Sequence, residues 1–356
     1  MSRHAVTPYG RGAGSSRVRV FSWVDRMEDP PAIHDYVGAN RASPLLLAHR
    51  PRDVLRAERD LRRLASGGPD WLMLHREASP LSRGRLEVAL AASAGFSVYD
   101  FDDALHEDVG QGPPWRRLAP KAPKAEAAVR AVDRVVAGNE VLADWASSRA
   151  RDVVVVPSCV DVLRYRPKAG YPLADPPRLV WIGSRDNESV LGTIAPALLE
   201  LHRTTGARLT VIGDAAAEVR GLAHLVDRVA WCETTQHEAL ADADLGIMPL
   251  VDDAYSRGKC GYKLLQYAAA ALPAVANPVG TNATILETLG LPGATTTEEW
   301  FDTLTTLIAS SAVDRARLGS AARDNVTRAY SFDAWMGRWL AAVGLPAGGA
   351  HAEACP

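Results

Sequence analysis

The chain has 356 residues, with 40 Lys and Arg against 42 Asp and Glu, a formal net charge of −2. Hydrophobic residues make up 47% and charged residues 23%, a globular composition that excludes a disordered chain, a collagen-like fibre and a disulfide scaffold. This length exceeds what one core usually organises, so two domains are expected. The near-neutral charge argues against a general nucleic-acid binder.

Taken in order, residues 1–16 are polar and Gly/Ser-rich with no apolar run, and read as a disordered tail and not a signal peptide. Apolar and β-branched runs then predict strands at 18–24, 71–75, 97–101, 134–137 and 153–156. Ala/Leu-rich stretches of helical period predict helices at 51–66, 82–94, 121–132 and 139–149. Residues 164–178 hold four prolines and no periodicity, which suits a linker. The alternation restarts with predicted strands at 179–182, 208–212, 228–231, 245–248 and 274–276. Helices are predicted near 188–204, 217–225, 236–242, 260–271, 281–289, 298–309, 313–329 and 333–343. Residues 344–356 read as a second tail. Continuous apolar strands separated by helices predict parallel sheets covered on both faces. The expected fold class is α/β: two doubly wound Rossmann-like domains, over 17–163 and 179–330, facing across a cleft. Ligands of such sheets bind at the carboxyl ends of the strands.

Several chemistries are excluded by motif. Cys159, Cys232, Cys260 and Cys355 are far apart with no C-x-x-C pair, which suggests reduced thiols in a cytoplasmic protein and no metal site. The longest apolar stretch, 264–276, is interrupted by Gln266 and Pro273, so no integral membrane segment is expected. No basic amphipathic face stands out. Walker-type, H-E-x-x-H and G-x-S-x-G motifs are absent. Gly10, Gly12 and Gly14 precede the first predicted strand and so are not read as a dinucleotide fingerprint. The nine tryptophans are scattered and form no aromatic platform, so no nucleic-acid partner is expected.

The most informative stretch is 252–287. A polar loop with Gly258 and Gly261 leads into a helix beginning near Tyr262. Backbone N–H groups at a helix start, beside glycines that permit close approach, form an anion site. Lys259 and Lys263 lie four apart, so one helical turn brings both amines to it. The plainer alternative is a pair of solvated lysines. A second strand–loop–helix follows, in which Gly280 permits backbone approach and Thr281 or Asn282 could cap the next helix. Here the alternative is simple turn-and-cap chemistry.

On these residues the chain resembles the GT-B glycosyltransferases, specifically the family-4-like group (glycosyl transferases group 1). The resemblance spans about residues 17–343 and is strongest over 258–280, GKCGYKLLQYAAAALPAVANPVG. Weaker echoes are Trp181-Ile182-Gly183-Ser184 and Pro157-Ser158-Cys159-Val160-Asp161. It implies a nucleotide-diphosphate sugar, UDP-sugar favoured over GDP-sugar, as co-substrate, with no other cofactor. It also implies metal-independent transfer with retention at the anomeric carbon. The donor would be held by the C-terminal domain and the acceptor by the N-terminal one. The helix at 331–343 would cross back to the first domain. Donor contacts would fall on Gly183, Ser184 and Arg185, on Gly258 through Lys263 including Cys260, and on Gln266, Gly280, Thr281 and Asn282.

Family members often carry two glutamates as E-x7-E, near the sugar hydroxyls and the ribose. Those positions here are Gly258 and Gln266. Gln266 could still hydrogen-bond a ribose without charge, and sugar recognition would fall to the backbone N–H groups of 259–262. Arg185 is present after the first C-domain strand, but no lysine follows it closely, so Lys259 or Lys263 is expected to supply the missing charge. Arg185, Lys263 and helix N–H groups would stabilise the departing diphosphate, with Lys263 in a catalytic role.

On the acceptor side, Asp100, Asp102 and Asp103 cluster at a strand end, with His106 nearby as a bystander. Like charges are costly when buried together. Such a group is either functional, with Asp102 or Asp103 orienting or deprotonating the acceptor, or else caps a helix. Arg76 would meet an acidic acceptor group or pair with these carboxylates. Asn139 and Glu140 would contact the acceptor, or Asn139 would cap a helix. The reading is transfer of a hexose or amino sugar to a small-molecule acceptor, such as a secondary metabolite, with a lipid or polysaccharide as the variant. The rivals are a sugar-nucleotide epimerase or hydrolase of the same architecture and a non-catalytic partner protein.

Overall fold

The computed structural model describes residues 1–40, 44–108, 120–213, 221–233 and 236–346. The chain divides into two units, Met1–Ser158 with the segment from Trp335 onward, and Cys159–Ala334.

In the first unit six parallel strands run in the order β2-β1-β3-β4-β5-β6. They are β1 (Arg3–Val6), β2 (Ala32–His34), β3 (Trp71–His75), β4 (Phe96–Phe101), β5 (Arg134–Ala137) and β6 (Val153–Val155). Every residue of β3 is buried, as expected for a strand covered on both faces. The predicted strands from 71 onward stand within a residue or two. Two expectations are overturned. Residues 3–6, assigned to a tail, are a central strand paired with both β2 and β3. Residues 18–24, assigned to a strand, lie in a helical segment over 14–24 whose middle turn, Arg17–Phe21, is wound as a π-helix. All five residues of that turn are buried. A helix buried all round has no apolar stripe, and Arg17-Val18-Arg19-Val20 imitates the alternation of a strand.

This correction reverses the reading of Gly10, Gly12 and Gly14. They follow the first strand and lead into the helix over 14–24. A Cβ on Gly10 would stand 2.5 Å from the Gly38 carbonyl oxygen, and one on Gly12 would stand 2.4 Å from the Asn40 side chain. Their small size lets the turn after β1 press against the segment that follows β2.

The residues from Trp335 onward complete this unit's core. Trp339 stacks on Trp23 with ring centroids 5.0 Å apart. The Trp71 indole N–H donates to the Val343 carbonyl at 2.7 Å, and Arg134 donates to the Ala341 carbonyl at 2.9 Å.

In the second unit five parallel strands run in the order β11-β10-β7-β8-β9. They are β7 (Arg178–Ile182), β8 (Arg208–Gly213), β9 (Val226–Ala230), β10 (Leu245–Met248) and β11 (Ala274–Ala276). One face of the sheet is covered by Leu264, Tyr267, Ile285 and Leu289, the other by Leu198, Leu201, Trp300 and Leu304. The helix predicted from 188 is a 3₁₀ segment, Arg185–Ile194, followed by the α-helix Ala195–Thr205. Of the helix predicted at 217–225, residues 217–220 lie outside the described residues and Ala223–Leu225 is a 3₁₀ turn. The proline-rich stretch 164–178 packs onto this unit. Tyr171 is buried, its hydroxyl donates to the Ala271 carbonyl at 2.8 Å, and Arg315 donates to the Tyr171 carbonyl at 2.9 Å.

Each sheet reverses its direction of growth once, between β1 and β3 in the first unit and between β7 and β10 in the second. At such a reversal successive loops leave the carboxyl ends on opposite faces and open a crevice. Cys159, Cys232 and Cys260 form no disulfide; Cys355 and most of 344–356 lie outside the described residues.

Candidate functional site

At the reversal in the first unit, the first helical turn after β1 brings Ser15 beside the end of β3. The Ser15 Oγ is 2.7 Å from His75 Nε2 and donates to Asp102 Oδ1 at 2.9 Å. His75 is fully buried, and its Nδ1 lies 2.8 Å from Asp100 Oδ1. Arg19, also fully buried, donates to both Asp100 oxygens and to the Val156 carbonyl at 2.8 Å. Arg76 follows β3 with φ 60°, a left-handed turn unusual outside glycine. This turn aims its guanidinium at Asp102, 2.7 Å from Nε to Oδ1, and at Asp103. The result is one continuous hydrogen-bonded chain: Arg19, Asp100, His75, Ser15, Asp102, Arg76, Asp103.

Burial alone would raise the Asp102 carboxyl, but Arg76, then His75 and Arg19, hold it well below the usual carboxylate range. Asp100 is lowered in the same way, burial being outweighed by Arg19 and His75. A general base needs an affinity for protons near the working pH, so this pairing works against Asp102 as the base. Arg76 is likewise committed to the carboxylates and not directed at a ligand. Asn139 accepts the Leu142 N–H at 2.9 Å and caps the helix Glu140–Ser147, so its side chain serves the fold; Glu140 is exposed. His106 stands apart, stacked on Trp145 at 4.2 Å.

Ser15, Arg19 and His75 went unmarked in the sequence. Ser15 lay in the supposed tail and Arg19 in the supposed strand. The available signal was the Gly10-x-Gly12-x-Gly14 spacing before Ser15, which becomes legible once β1 is placed at 3–6.

At the reversal in the second unit, β7 ends at Ile182 and is followed by Gly183, where a Cβ would stand 2.4 Å from the Trp181 indole. Ser184 and Arg185 follow and are exposed. From the other side of the reversal, after β10, the Lys259 ammonium reaches to 3.5 Å from Asn187 Oδ1 and lies 4.9 Å from the Tyr255 ring. The Lys263 ammonium sits 5.3 Å over the Trp181 ring, a cation–π contact. The Trp181 ring thus lies against both Gly183 and Lys263, and Lys259 reaches Asn187, two residues beyond Arg185.

Two helices start side by side here, Tyr262–Ala269 and Thr281–Leu289. Gly261 precedes the first with φ 61°, and a Cβ on it would stand 2.9 Å from Asn282 Oδ1 and 2.4 Å from Ile285. Gly280 precedes the second with φ 53° and ψ −129°, and a Cβ there would meet the Arg257 carbonyl at 2.2 Å. Close approach at these two glycines sets the adjoining helix starts. Capping by Thr281 or Asn282 is not observed. Gly280 holds the cap position, and Asn282, fully buried, donates to the Asn277 carbonyl at 3.2 Å. Its Oδ1 is buried with no hydrogen-bond partner among the described residues.

Gly258 and Cys260 are buried and Tyr262 half-buried. The Lys259 N–H donates to the Ser256 carbonyl at 3.1 Å, which removes it from the set of backbone donors expected over 259–262. Gln266 is buried, and its amide donates to the Tyr165 hydroxyl at 3.0 Å. Among the described residues no group of three or more His, Cys, Asp or Glu side chains could hold a metal ion, and no helix is long and apolar enough to cross a membrane.

Residues 176–310 match the family model of the glycosyl transferases group 1. No curated protein matches the chain. Among solved structures, HepE of Anabaena in complex with UDP and glucose is 13% identical, with TM-score 0.68, 96% of this chain and 98% of that one being covered. Sucrose-phosphate synthase of Thermosynechococcus elongatus is 12% identical, with TM-score 0.67 and coverage of 95% and 97%. A UDP-forming trehalose-phosphate synthase from Burkholderia xenovorans is 11% identical, with TM-score 0.59 and coverage of 97% and 99%. Residues 176–310 are a group 1 glycosyl transferase domain, and the chain that carries them has the GT-B glycosyltransferase fold.

Proposed function

We propose that the chain moves a hexose or amino sugar from a nucleotide-diphosphate sugar to a hydroxyl of a small-molecule acceptor, without a metal and with retention at the anomeric carbon. The observation that carries this reading is the meeting of two helix starts with Lys259 and Lys263 at the reversal between β7 and β10. As the bond from the anomeric carbon to the diphosphate oxygen breaks, negative charge grows on the leaving nucleotide. Amines and helix N–H dipoles already aimed at that position stabilise it without reorganisation. Lys263 acts on the departing oxygen, and Arg185 and Lys259 hold the phosphates. UDP is the first choice of nucleotide, supported by the UDP named in two of the similar structures.

The acceptor belongs, in this reading, to the first unit, at the ends of β1, β3 and β4. Ser15 is the half-buried group there that can meet a hydroxyl, and Asp102 and Asp103 orient through Arg76.

A thermal-shift panel of UDP-, GDP-, ADP- and dTDP-sugars tests donor binding. Ligand at a hundred times its Kd stabilises by about 2.7 kcal/mol, so a UDP-sugar should raise Tm by several degrees. Lys263→Ala should lower transfer by roughly 10²–10³-fold at unchanged Tm, as removal of one preorganised donor does. No stabilisation by any sugar nucleotide would sink donor binding. Wild-type turnover in Lys263→Ala would remove that lysine from the mechanism. Donor consumed equally without acceptor would favour a hydrolase or epimerase.

A further inference from the structure

The helix Pro51–Gly67 joins β2 to β3 and buries Ala57, Leu61 and Leu64. Its outward side is arginine. Arg52, Arg56, Arg59 and Arg63 recur at intervals of four, three and four, which is one helical face, with Arg62 beside them. All five are exposed. Among the described residues no ion pair holds Arg52, Arg56 or Arg59, while Arg62 and Arg63 stand 3.8 and 3.7 Å from Glu58 and Asp60.

In the sequence Asp53, Glu58 and Asp60 dilute this face, which is why none stood out. In the structure Glu58 is turned inward, accepting the Tyr36 hydroxyl at 2.9 Å and the Ser79 hydroxyl. Leu55, within the arginine face, is 70% exposed. Arg59, Arg62, Arg63, Ser66 and Gly67 line an open hollow of about 430 Å³. The helix Arg85–Ser93 packs alongside.

Seventeen residues make a rod about 25 Å long. Its exposed side joins several arginines to the apolar side chain of Leu55, in a chain whose net charge is −2. Arginines are drawn to the negative potential of acidic lipid headgroups, and a leucine among them gains by entering the boundary with the acyl chains. A nucleic-acid backbone would satisfy the arginines but leave Leu55 in water. We infer that the first unit docks on an anionic lipid bilayer through this face, with the helix Pro51–Gly67 lying flat on the headgroups and the hollow at its C-terminal end receiving one of them. The docking is independent of which sugar or acceptor the enzyme uses.

The test is cosedimentation of the full chain with vesicles of phosphatidylcholine alone and of equal parts phosphatidylcholine and phosphatidylglycerol. Binding is expected to the mixed vesicles only, falling as salt shortens the screening length. The triple variant Arg52→Glu, Arg56→Glu, Arg59→Glu should bind at least about 100-fold more weakly. Leu55→Ser should bind about tenfold more weakly at unchanged charge. A charge-matched control, Arg151→Glu, Arg317→Glu, Arg328→Glu, removes exposed arginines elsewhere and should bind as the parent does. The proposal is overturned if mixed vesicles are not bound, if pure phosphatidylcholine is bound equally, or if the control loses as much as the helix variant. Retention on heparin without vesicle binding overturns it in favour of a soluble polyanion.

Discussion

Arg76 is the position where a single truncation should do most damage to the first unit. Its side chain is 12% exposed and pairs with Asp102 and Asp103, themselves 11% and 19% exposed. In Arg76→Ala both carboxylates keep their charge with no cation between them, and Asp100 stands nearby. Breaking a buried pair by removing one partner costs about 3–5 kcal/mol. At roughly 2–4 °C per kcal/mol for a unit of this size, Tm should fall by about 10 °C. The backbone contributes separately. Arg76 holds φ 60°, a conformation costing an L-residue about 1–2 kcal/mol, so Arg76→Gly should be milder than Arg76→Ala by about 1 kcal/mol. The assay is urea unfolding of the parent, Arg76→Ala, Asp102→Asn and the double variant as a cycle. Neutralising Asp102 should restore part of the loss, giving a coupling of about 1–3 kcal/mol. A cost under about 1 kcal/mol for Arg76→Ala, with no coupling to Asp102→Asn, would refute the reasoning.

Two further outcomes follow from the geometry. Gly280→Ala would place a methyl 2.2 Å from the Arg257 carbonyl at φ 53°. Backbone cannot yield there as a side-chain tip can, so the variant should lose more than about 2 kcal/mol and any thermal shift with UDP-sugar; parental values for both would show that the turn tolerates a side chain. Acid should weaken the first unit through its buried carboxylates. Burial raises Asp100, Asp102 and Glu77, but Arg19 outweighs it at Asp100, Arg76 at Asp102, and Lys121 and Lys124 at Glu77, so all three lie below their usual values of 3.8 and 4.5 in the fold. Groups lowered on folding contribute stability above their unfolded values and lose it as pH falls through the folded ones. Unfolding free energy should therefore hold down to about pH 5 and decline below it, less steeply in Asp102→Asn. Stability rising between pH 5 and 3 would contradict this.

The second unit was largely legible in the sequence because its strands are covered on both faces and so appear as uninterrupted apolar runs, as in Leu179-Val180-Trp181-Ile182. The glycine turns at 258–261 and 280 were legible for a related reason, since the permissive residue is visible where the backbone must approach closely. The start of the first unit was not. β1 is four residues long with a charged first residue, too short for a period to show. The helix after it is buried all round, with Arg19 inside because Asp100, eighty-one positions away, neutralises it. A long-range ion pair leaves no local pattern, so Ser15 and His75 became visible only as neighbours in space. Asp102 and Asp103 were found as charges, but their pairing with Arg76 decides what they can do.

The stacking of Trp339 on Trp23 has a bearing on biogenesis. The ribosome releases the whole of Cys159–Ala334 before the indole that fills the earlier unit's interior. The middle portion, contiguous along the polypeptide, can therefore consolidate during translation, whereas the amino-terminal portion waits on a contact spanning more than three hundred positions, whose loop-closure entropy slows folding. A chain cut after Ala334 and freed from the ribosome would hold a finished second unit and an open first one.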